Sequence, residues 1–490
     1  MIMLKSIRSV IKALEDGQII YCHWKSNEHL SEALEGDTDL DMLFLPEQRI
    51  QLERVLDECG MKRFRSTPLM QYNAIEDFIG FDKETAKIWH LHTHYRMTLG
   101  EKHLKGYTVN PWGKLILDNR RKDEQGIYCS AEEDELIMLL VRMALKLRWR
   151  DCGRGIGKDD LKEITWLRER LDRTSIDTRA KQFLGENAAE EIVRLIKGKE
   201  LTKKGQLVKL RRLLLKELRL YTGYSTIGSR WMRHRRELFW FVGGIRRRIG
   251  VNTYVANRRV SPNGGNVIAF LGCDGAGKST TLSYVKKELN KKLDVVTIYF
   301  GSGDGSSSLL RKPMKIVAKK VGGKGLGRSV EKEFAEKRIT IKSRLYSLAK
   351  LIWAITLAKE KKTKIKDQTQ ARNNGLIVLT DRYPQALFPG CSDGPLLSKY
   401  KGKGVMGKIA AWEHRIYASA AKNPPDLTIK LIVPTEVAIQ RKPEMTAEEI
   451  DTKKEIVMGL DLSLNTLVVD TSHPFEETRA EIMEAIWRIL

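Results

Sequence analysis

Gly272-Cys273-Asp274-Gly275-Ala276-Gly277-Lys278-Ser279 is the stretch from which the rest of the chain is read. It satisfies G-x-x-x-x-G-K-[ST] at every fixed position, and Thr280 and Thr281 follow. The residues before it, Asn266 to Leu271 (N-V-I-A-F-L), form a short apolar run suited to a buried parallel strand. Those after it, Thr281 to Leu289, read as a helix. Strand, glycine loop and helix in that order aim successive backbone N–H groups and a helix N-terminus at one point, which suits a phosphate. The donors would come from Gly272, Gly275, Ala276, Gly277, Lys278, Ser279 and Thr280. Lys278 is placed to reach the β- and γ-phosphates, and the Ser279 hydroxyl to hold Mg²⁺. The pattern predicts a chain that binds a nucleoside triphosphate.

Outward from that loop, the downstream half reads as alternating strands and helices, the signature of an α/β unit with a parallel sheet. Leu293 to Phe300 is a second strand, and Gly301-Ser302-Gly303-Asp304-Gly305 a loop at its carboxyl end. Residues 306–328 read as a Gly-, Ser- and Lys-rich excursion, and a long helix is expected from about Glu331 to Lys361. Gly375 to Thr380 is an apolar strand that delivers Asp381, Arg382 and Tyr383 to the sheet edge. Asp381 suits a Mg²⁺-bound water or an attacking oxygen, and Arg382 a bidentate clamp on an anionic acceptor. Asp426 to Pro434 is another strand, leading into Arg441 and Lys442. Thr446-Ala447-Glu448-Glu449 is a capping box that opens a helix carrying Lys453 and Lys454. A basic turn between two helices suits a lid that neutralises charge in a transition state. Leu467 to Ser472 forms a last strand, and a helix runs to Leu490.

Residues 264–490 resemble a thymidylate kinase. The likeness rests on Gly272-x-Asp274-Gly-x-Gly-Lys-Ser-Thr, on Asp381-Arg382-Tyr383, on Arg441 and on Val469-Asp470-Thr471-Ser472. It implies ATP and Mg²⁺ as cofactors, with Lys278, Asp274, Asp381, Arg382 and Arg441 as catalytic residues and Ser279 and Asp381 at the metal. Phe300-Gly301-Ser302-Gly303-Asp304-Gly305 stands where that family carries an Arg-Glu-Pro-Gly-Gly type stretch, so the donor half matches and the acceptor half is rewritten. The acceptor expected is a small molecule, a nucleotide or a sugar phosphate.

The upstream half differs. Residues 2–16 predict a helix and Ile19 to Trp24 a strand. Lys25-Ser26 then precedes, by thirteen residues, a strand Asp39-Leu40-Asp41-Met42-Leu43-Phe44, on which Asp39 and Asp41 share a face. That arrangement resembles a nucleotidyltransferase, whose paired carboxylates share Mg²⁺ ions. Two residues depart from it: Lys-Ser replaces Gly-Ser, and His92 falls where a third carboxylate is expected, on the strand Lys87 to Tyr95. His90, His92 and His94 alternate along that strand, and a substrate-lining or partly exposed role is expected for them. Ser130-Ala131-Glu132-Glu133 reads as a capping box that opens a helical subdomain. The two-part layout is similar to thymidylate-kinase-like proteins associated with bacterial surface-polysaccharide synthesis. The segments expected are 1–129 (nucleotidyltransferase-like α/β), 130–198 (helical), 199–263 (basic connector) and 264–490 (P-loop kinase-like).

The 490 residues carry a formal charge of +25, and much of it is local. Residues 201–250 hold 14 Lys/Arg against 2 Glu, a net +12. Within residues 230–248, Trp231, Phe239, Trp240 and Phe241 sit among seven arginines, a mixture that suits an anionic membrane surface. The alternative is a packed connector with buried aromatics. Nucleic acid is disfavoured by the monophosphate-kinase features, and a homodimer is the expected assembly. Six scattered cysteines with no paired spacing, no signal peptide and no apolar run long enough to span a bilayer point to a cytoplasmic protein, peripheral to the inner membrane face if the connector binds lipid. Two other classes stay open: a nucleotide-switched regulatory protein with slow ATPase activity, and a bifunctional kinase and nucleotidyltransferase.

Overall fold

The computed structural model describes residues 3–198, 200–251, 253–301, 341–400, 402 and 404–490. The loop 302–305, the segment 306–328 and the start of the helix expected from Glu331 lie outside the described residues. Two compact units emerge. One comprises Met1–Ile249 with Asn257–Arg259, the other Gly250–Ala256 with Val260–Leu490. Both mix helices with sheets that contain parallel strands.

In the first unit the strands are β1 (Tyr21–His23), β2 (Asp39–Phe44), β3 (Lys62–Phe64), β4 (Ile75–Asp82), β5 (Lys87–His94), β6 (Met97–Leu99), β7 (Tyr107–Val109), β8 (Arg121–Lys122) and β9 (Tyr128–Cys129). Seven of them make one mixed sheet, in the order β3-β4-β5-β2-β1-β9-β8, and β6 pairs with β7 separately. Helix Lys5–Asp16 buries Ile7, Val10, Ile11 and Leu14, the i, i+3, i+4, i+7 stripe that its sequence predicts. Helices Glu132–Lys146, Lys158–Arg170 and Glu186–Lys197 form a second core. Leu207, Leu210, Leu214 and Leu218 join it, so the first half of the basic segment is a core helix of this unit.

Ser130 does not cap the helix that follows it, contrary to the sequence pattern. Ala131 is the N-cap and no side chain bonds there. The Ser130 N–H instead donates to His23 O at 2.9 Å, continuing the β1–β9 pairing, and its Oγ accepts from Asn27 Nδ2 at 3.1 Å. Strand continuation claims the backbone that a cap would have needed. At Thr446 the same pattern does form its capping box, with Thr446 Oγ1 accepting from Glu449 N at 3.3 Å.

In the second unit β10 (Val267–Gly272), β11 (Val295–Tyr299), β12 (Ile377–Asp381), β13 (Leu427–Ile432) and β14 (Thr466–Asp470) form a fully parallel sheet, in the order β11-β12-β10-β13-β14. The chain leaves β10 toward one edge and returns to build the other, so the order reverses at β10. In open α/β sheets ligands bind outside the carboxyl ends of the strands at such a reversal. The glycine loop leaves β10 there.

Gly80 on β4 lies opposite Trp89 on β5, and a Cβ on Gly80 would sit 2.4 Å from the indole ring. Trp89 is itself buried, and its Nε1 donates to Ser6 Oγ at 2.9 Å. Gly80→Ala is expected to destabilise the first unit by about 1–3 kcal/mol, the usual cost of overpacking. A drop in its melting temperature checks this, and an unchanged melt refutes it.

Candidate functional site

The loop after β10 can turn because Gly275 (φ +84°) and Gly277 (φ +77°) adopt left-handed backbone, which a side chain would strain. A Cβ on Gly275 would also lie 3.0 Å from Ala438 O. Gly277 is the N-cap of helix Lys278–Leu289, so the loop hands its unpaired N–H groups directly to a helix terminus. Lys278 is buried and folds back over the loop. Its Nζ donates to Gly272 O at 2.8 Å and Cys273 O at 2.7 Å. Burial, aided by the Arg382 charge, pulls its ammonium below the usual lysine range.

Three further segments converge on this point. Asp381 ends β12 with its Oδ1 buried and without a hydrogen-bond partner. Burial pushes its carboxyl up, against the Lys278 and Arg382 charges. Arg382 follows in left-handed backbone (φ +67°), uncommon for a residue with a side chain. Its guanidinium lies between Asp274 (3.7 Å) and Asp393 (3.6 Å). Lys453 reaches Asp274 at 2.7 Å from helix Ala447–Met458. Although burial works to raise the Asp274 carboxyl, Lys453, Lys278 and Arg382 together hold it below the usual carboxylate range. Arg441 ties the loop down: its Nη1 donates to Gly275 O and its Nη2 to Thr471 O, both at 3.1 Å. Thr471 Oγ1 in turn donates to Ala276 O at 3.3 Å. Tyr383 is structural, its ring buried and its hydroxyl bonded to Gln368 and to the Asn423 carbonyl.

Lys278, Asp274, Asp381, Arg382 and Arg441, all expected from sequence, are thus brought together. Asp393 and Lys361 were not expected, though they form a buried ion pair at 2.9 Å that backs Arg382. Asp393 lies in the turn Cys391-Ser392-Asp393-Gly394, which has no motif signature. Ser279 and Thr280 are exposed on the first turn of the helix. Oxygen donors only, with one orphaned carboxylate oxygen among them, fit the ligand chemistry of Mg²⁺.

The first unit gathers a second polar cluster. Parallel pairing sets Asp39 opposite His90 and Asp41 opposite His92, and β4 adds Asp77 opposite His92 from the other side. Asp41 Oδ1 accepts Lys25 Nζ at 2.8 Å, His92 Nδ1 at 2.9 Å and His94 Nε2 at 3.3 Å. His90 spans two carboxylates, with Nδ1 3.0 Å from Asp39 and Nε2 2.9 Å from Asp77. Asp77 also accepts Arg259 Nε at 2.7 Å. Burial would raise both Asp41 and Asp77, but these partners hold both well below the usual carboxylate range. Burial, then the Lys25 charge, pushes the Lys105 ammonium down to about 7.

Two expectations change here. The histidines are not all partly exposed: His92 is half-buried, but His90 and His94 are buried, and all three contact the aspartates. The third carboxylate exists too, as Asp77 on β4, where sequence pointed only to His92 on β5. An aspartate inside the apolar run Ile75-Glu76-Asp77-Phe78-Ile79-Gly80-Phe81 was the legible signal. Asp41, His92 and His94 bring ligand atoms within 4.8 Å of one another. That nitrogen-rich set does not fit the all-oxygen coordination of Mg²⁺.

Comparison with known proteins reaches part of the chain. No family model matches it. It is similar to the uncharacterized ATP-binding protein YghR of Escherichia coli (strain K12), at 26% identity over 229 residues, which is 45% of this chain and 86% of that protein. It is also similar to the uncharacterized ATP-binding protein YghS of the same organism, at 29% identity over 227 residues, 45% of this chain and 92% of that protein. Among solved structures, thymidylate kinase from Ehrlichia chaffeensis is matched at 16% identity and a TM-score of 0.24, covering 46% of this chain and 98% of that one.

Burial lowers His23, His92 and His94 in the first unit, so each binds its proton less tightly in the fold than in the unfolded chain. Unfolded histidine titrates near about 6.5, so below that pH the unfolded chain binds protons that the folded one does not. Stability therefore falls as pH drops, by at most about 1.4 kcal/mol per pH unit for each group. Thermal melts of the first unit at pH 7.5 and 5.5 are expected to show the lower midpoint at 5.5. Equal midpoints would refute the weakened proton binding.

Proposed function

We propose that the second unit transfers a phosphoryl group from ATP, with Mg²⁺, to a small phosphorylated acceptor, either a nucleotide or a sugar phosphate. One observation carries this reading: Lys278, Asp274, Asp381 and Arg382 converge at the carboxyl end of β10, where the strand order reverses. The relatives named as ATP-binding proteins support ATP as donor.

Phosphoryl transfer asks little covalent chemistry of a protein and much positioning and charge stabilisation. Loop N–H groups and Lys278 would cradle the donor phosphates. Ser279 and Asp381 would hold the magnesium ion, whose charge offsets that developing on the transferred group. Arg382, already aimed by Asp393 and Asp274, presents a planar fork to an acceptor phosphate. Lys453 and Arg441 add positive charge from the lid side. In the first unit we read a binding role rather than nucleotidyl transfer, because Asp41 already holds Lys25 and two imidazoles.

A screen of nucleotide and sugar-phosphate acceptors with labelled ATP tests the assignment. Turnover should rise sharply with the right acceptor, whereas acceptor-independent hydrolysis throughout would make the unit a nucleotide switch. Lys278→Ala is expected to lower kcat by about 10²–10³-fold, as loss of one transition-state charge contact does. The melting temperature should stay close to that of wild type, and near wild-type turnover would sink the loop assignment. Arg382→Lys loses the bidentate fork. It should raise the acceptor KM and lower kcat with ATP affinity little changed. If ATP affinity alone falls, Arg382 serves the donor.

A further inference from the structure

Helix Thr226–Ile249 packs inside out. Ile227, Trp231, Leu238, Phe241, Ile245 and Ile249 recur at i, i+4, i+11, i+14, i+18 and i+22. At about 100° per residue they fall within roughly 80° of arc, a mostly apolar stripe along the helix that the exposed His234 interrupts between Trp231 and Leu238. All six are exposed, Ile227 at 82% and Leu238 at 62%. The opposite side is the one the unit holds, and it is polar apart from Trp240, which stays 56% exposed beside His103. Arg236 is buried and donates to the carbonyls of Leu104 and Gln71, both at 3.1 Å. Arg233 pairs with Glu101, and Glu237 with Arg148 at 3.1 Å. Gly243 lets the helix approach Asn257, whose Oδ1 would lie 2.2 Å from an added Cβ. An amphipathic helix usually buries its apolar stripe and solvates its charges; this one does the reverse.

We infer that this stripe lies on an anionic bilayer surface. The arginines are placed for it. Arg230 and Arg248 flank the stripe on one side, and Arg235 and Arg246 on the other, near the boundary where headgroup phosphates would lie. The helix carries seven arginines against the single acid Glu237, which already has its partner. A stripe about 33 Å long is straight and about one side chain wide, which fits a plane better than a pocket. The helix lies in the interface and does not span, since no helix among the described residues is long and apolar enough to cross a membrane. Trp231 and Phe241 would sit at the level of the headgroups and the first methylenes, and the net charge of +25 adds long-range attraction.

Flotation of the full-length protein with phosphatidylcholine vesicles, alone or with about 30 mol% phosphatidylserine, tests this. The protein should float with the anionic vesicles, and the bound fraction should fall at least about fivefold from 0.1 M to 0.5 M NaCl as the Debye length shrinks. Trp231→Ser, Leu238→Ser and Phe241→Ser together should abolish flotation, with circular dichroism and melting temperature as in wild type, because none of the three is buried. Arg230→Gln, Arg235→Gln and Arg248→Gln together should weaken it and flatten its salt dependence. Three results overturn the inference: no flotation with either vesicle at low salt, flotation unchanged in the serine variant, or equal flotation with neutral and anionic vesicles. A fourth does so as well. If the protein does not float and light scattering shows a dimer that the serine variant converts to monomer, the stripe covers a second copy of this chain.

Discussion

The ammonium of Lys278 is buried against two carbonyl oxygens of its own loop. A buried charge must be paired or hydrogen-bonded, and carbonyls alone compensate it only partly. The remaining compensation comes from Asp274 and Asp381, both of which act on Lys278. Each of those carboxylates arrives on a different element, one from the loop and one from the end of β12. The strand order that brings β12 and β13 against β10 is therefore also what makes a buried lysine tolerable. Fold and site impose the same condition on the chain.

Much of this was legible from residues alone because parallel strands buried on both faces read as near-continuous apolar runs. Val267 to Leu271, Ile377 to Leu379 and Leu427 to Ile432 announce themselves that way. The loop was legible because its conformation restricts residue type at Gly275 and Gly277. What sequence hid was pairing across distance. Lys453 was visible as a basic lid residue, but not its contact with Asp274, 179 residues away. Ser130 and Thr446 head the same four-residue pattern, yet only Thr446 caps its helix. A cap is a local preference worth about 1 kcal/mol, and a strand pairing and an Asn27 contact outweigh it at Ser130.

Register explains the other cluster in the same terms. Asp39 and Asp41 share a face by the two-residue period of a strand, which sequence shows. Which groups face them depends on β5 lying parallel to β2 and β4 antiparallel to β5. A one-residue slip in either pairing would turn the histidines or Asp77 to the opposite face. Five partners (Lys25, His90, His92, His94 and Arg259) satisfy three aspartates, and the low-lying Asp41 and Asp77 carboxyls follow from that crowding.

Both clusters share a further property: several of their cations are already paired with carboxylates. Lys453 holds Asp274, Lys361 holds Asp393, Lys25 holds Asp41 and Arg259 holds Asp77. Such pairs place the cations accurately at little net electrostatic gain, since desolvation offsets much of the attraction. A bare polyanion arriving at the loop of the second unit would have to draw Lys453 and Arg382 away from carboxylates that are half-buried or more. Released alone, those carboxylates would repel it. A replacement cation arriving in the same event would let partners be exchanged with none lost. Asp381 Oδ1 and Asp393 Oδ2 are the buried carboxylate oxygens at this site with no hydrogen bond to give up in such an exchange.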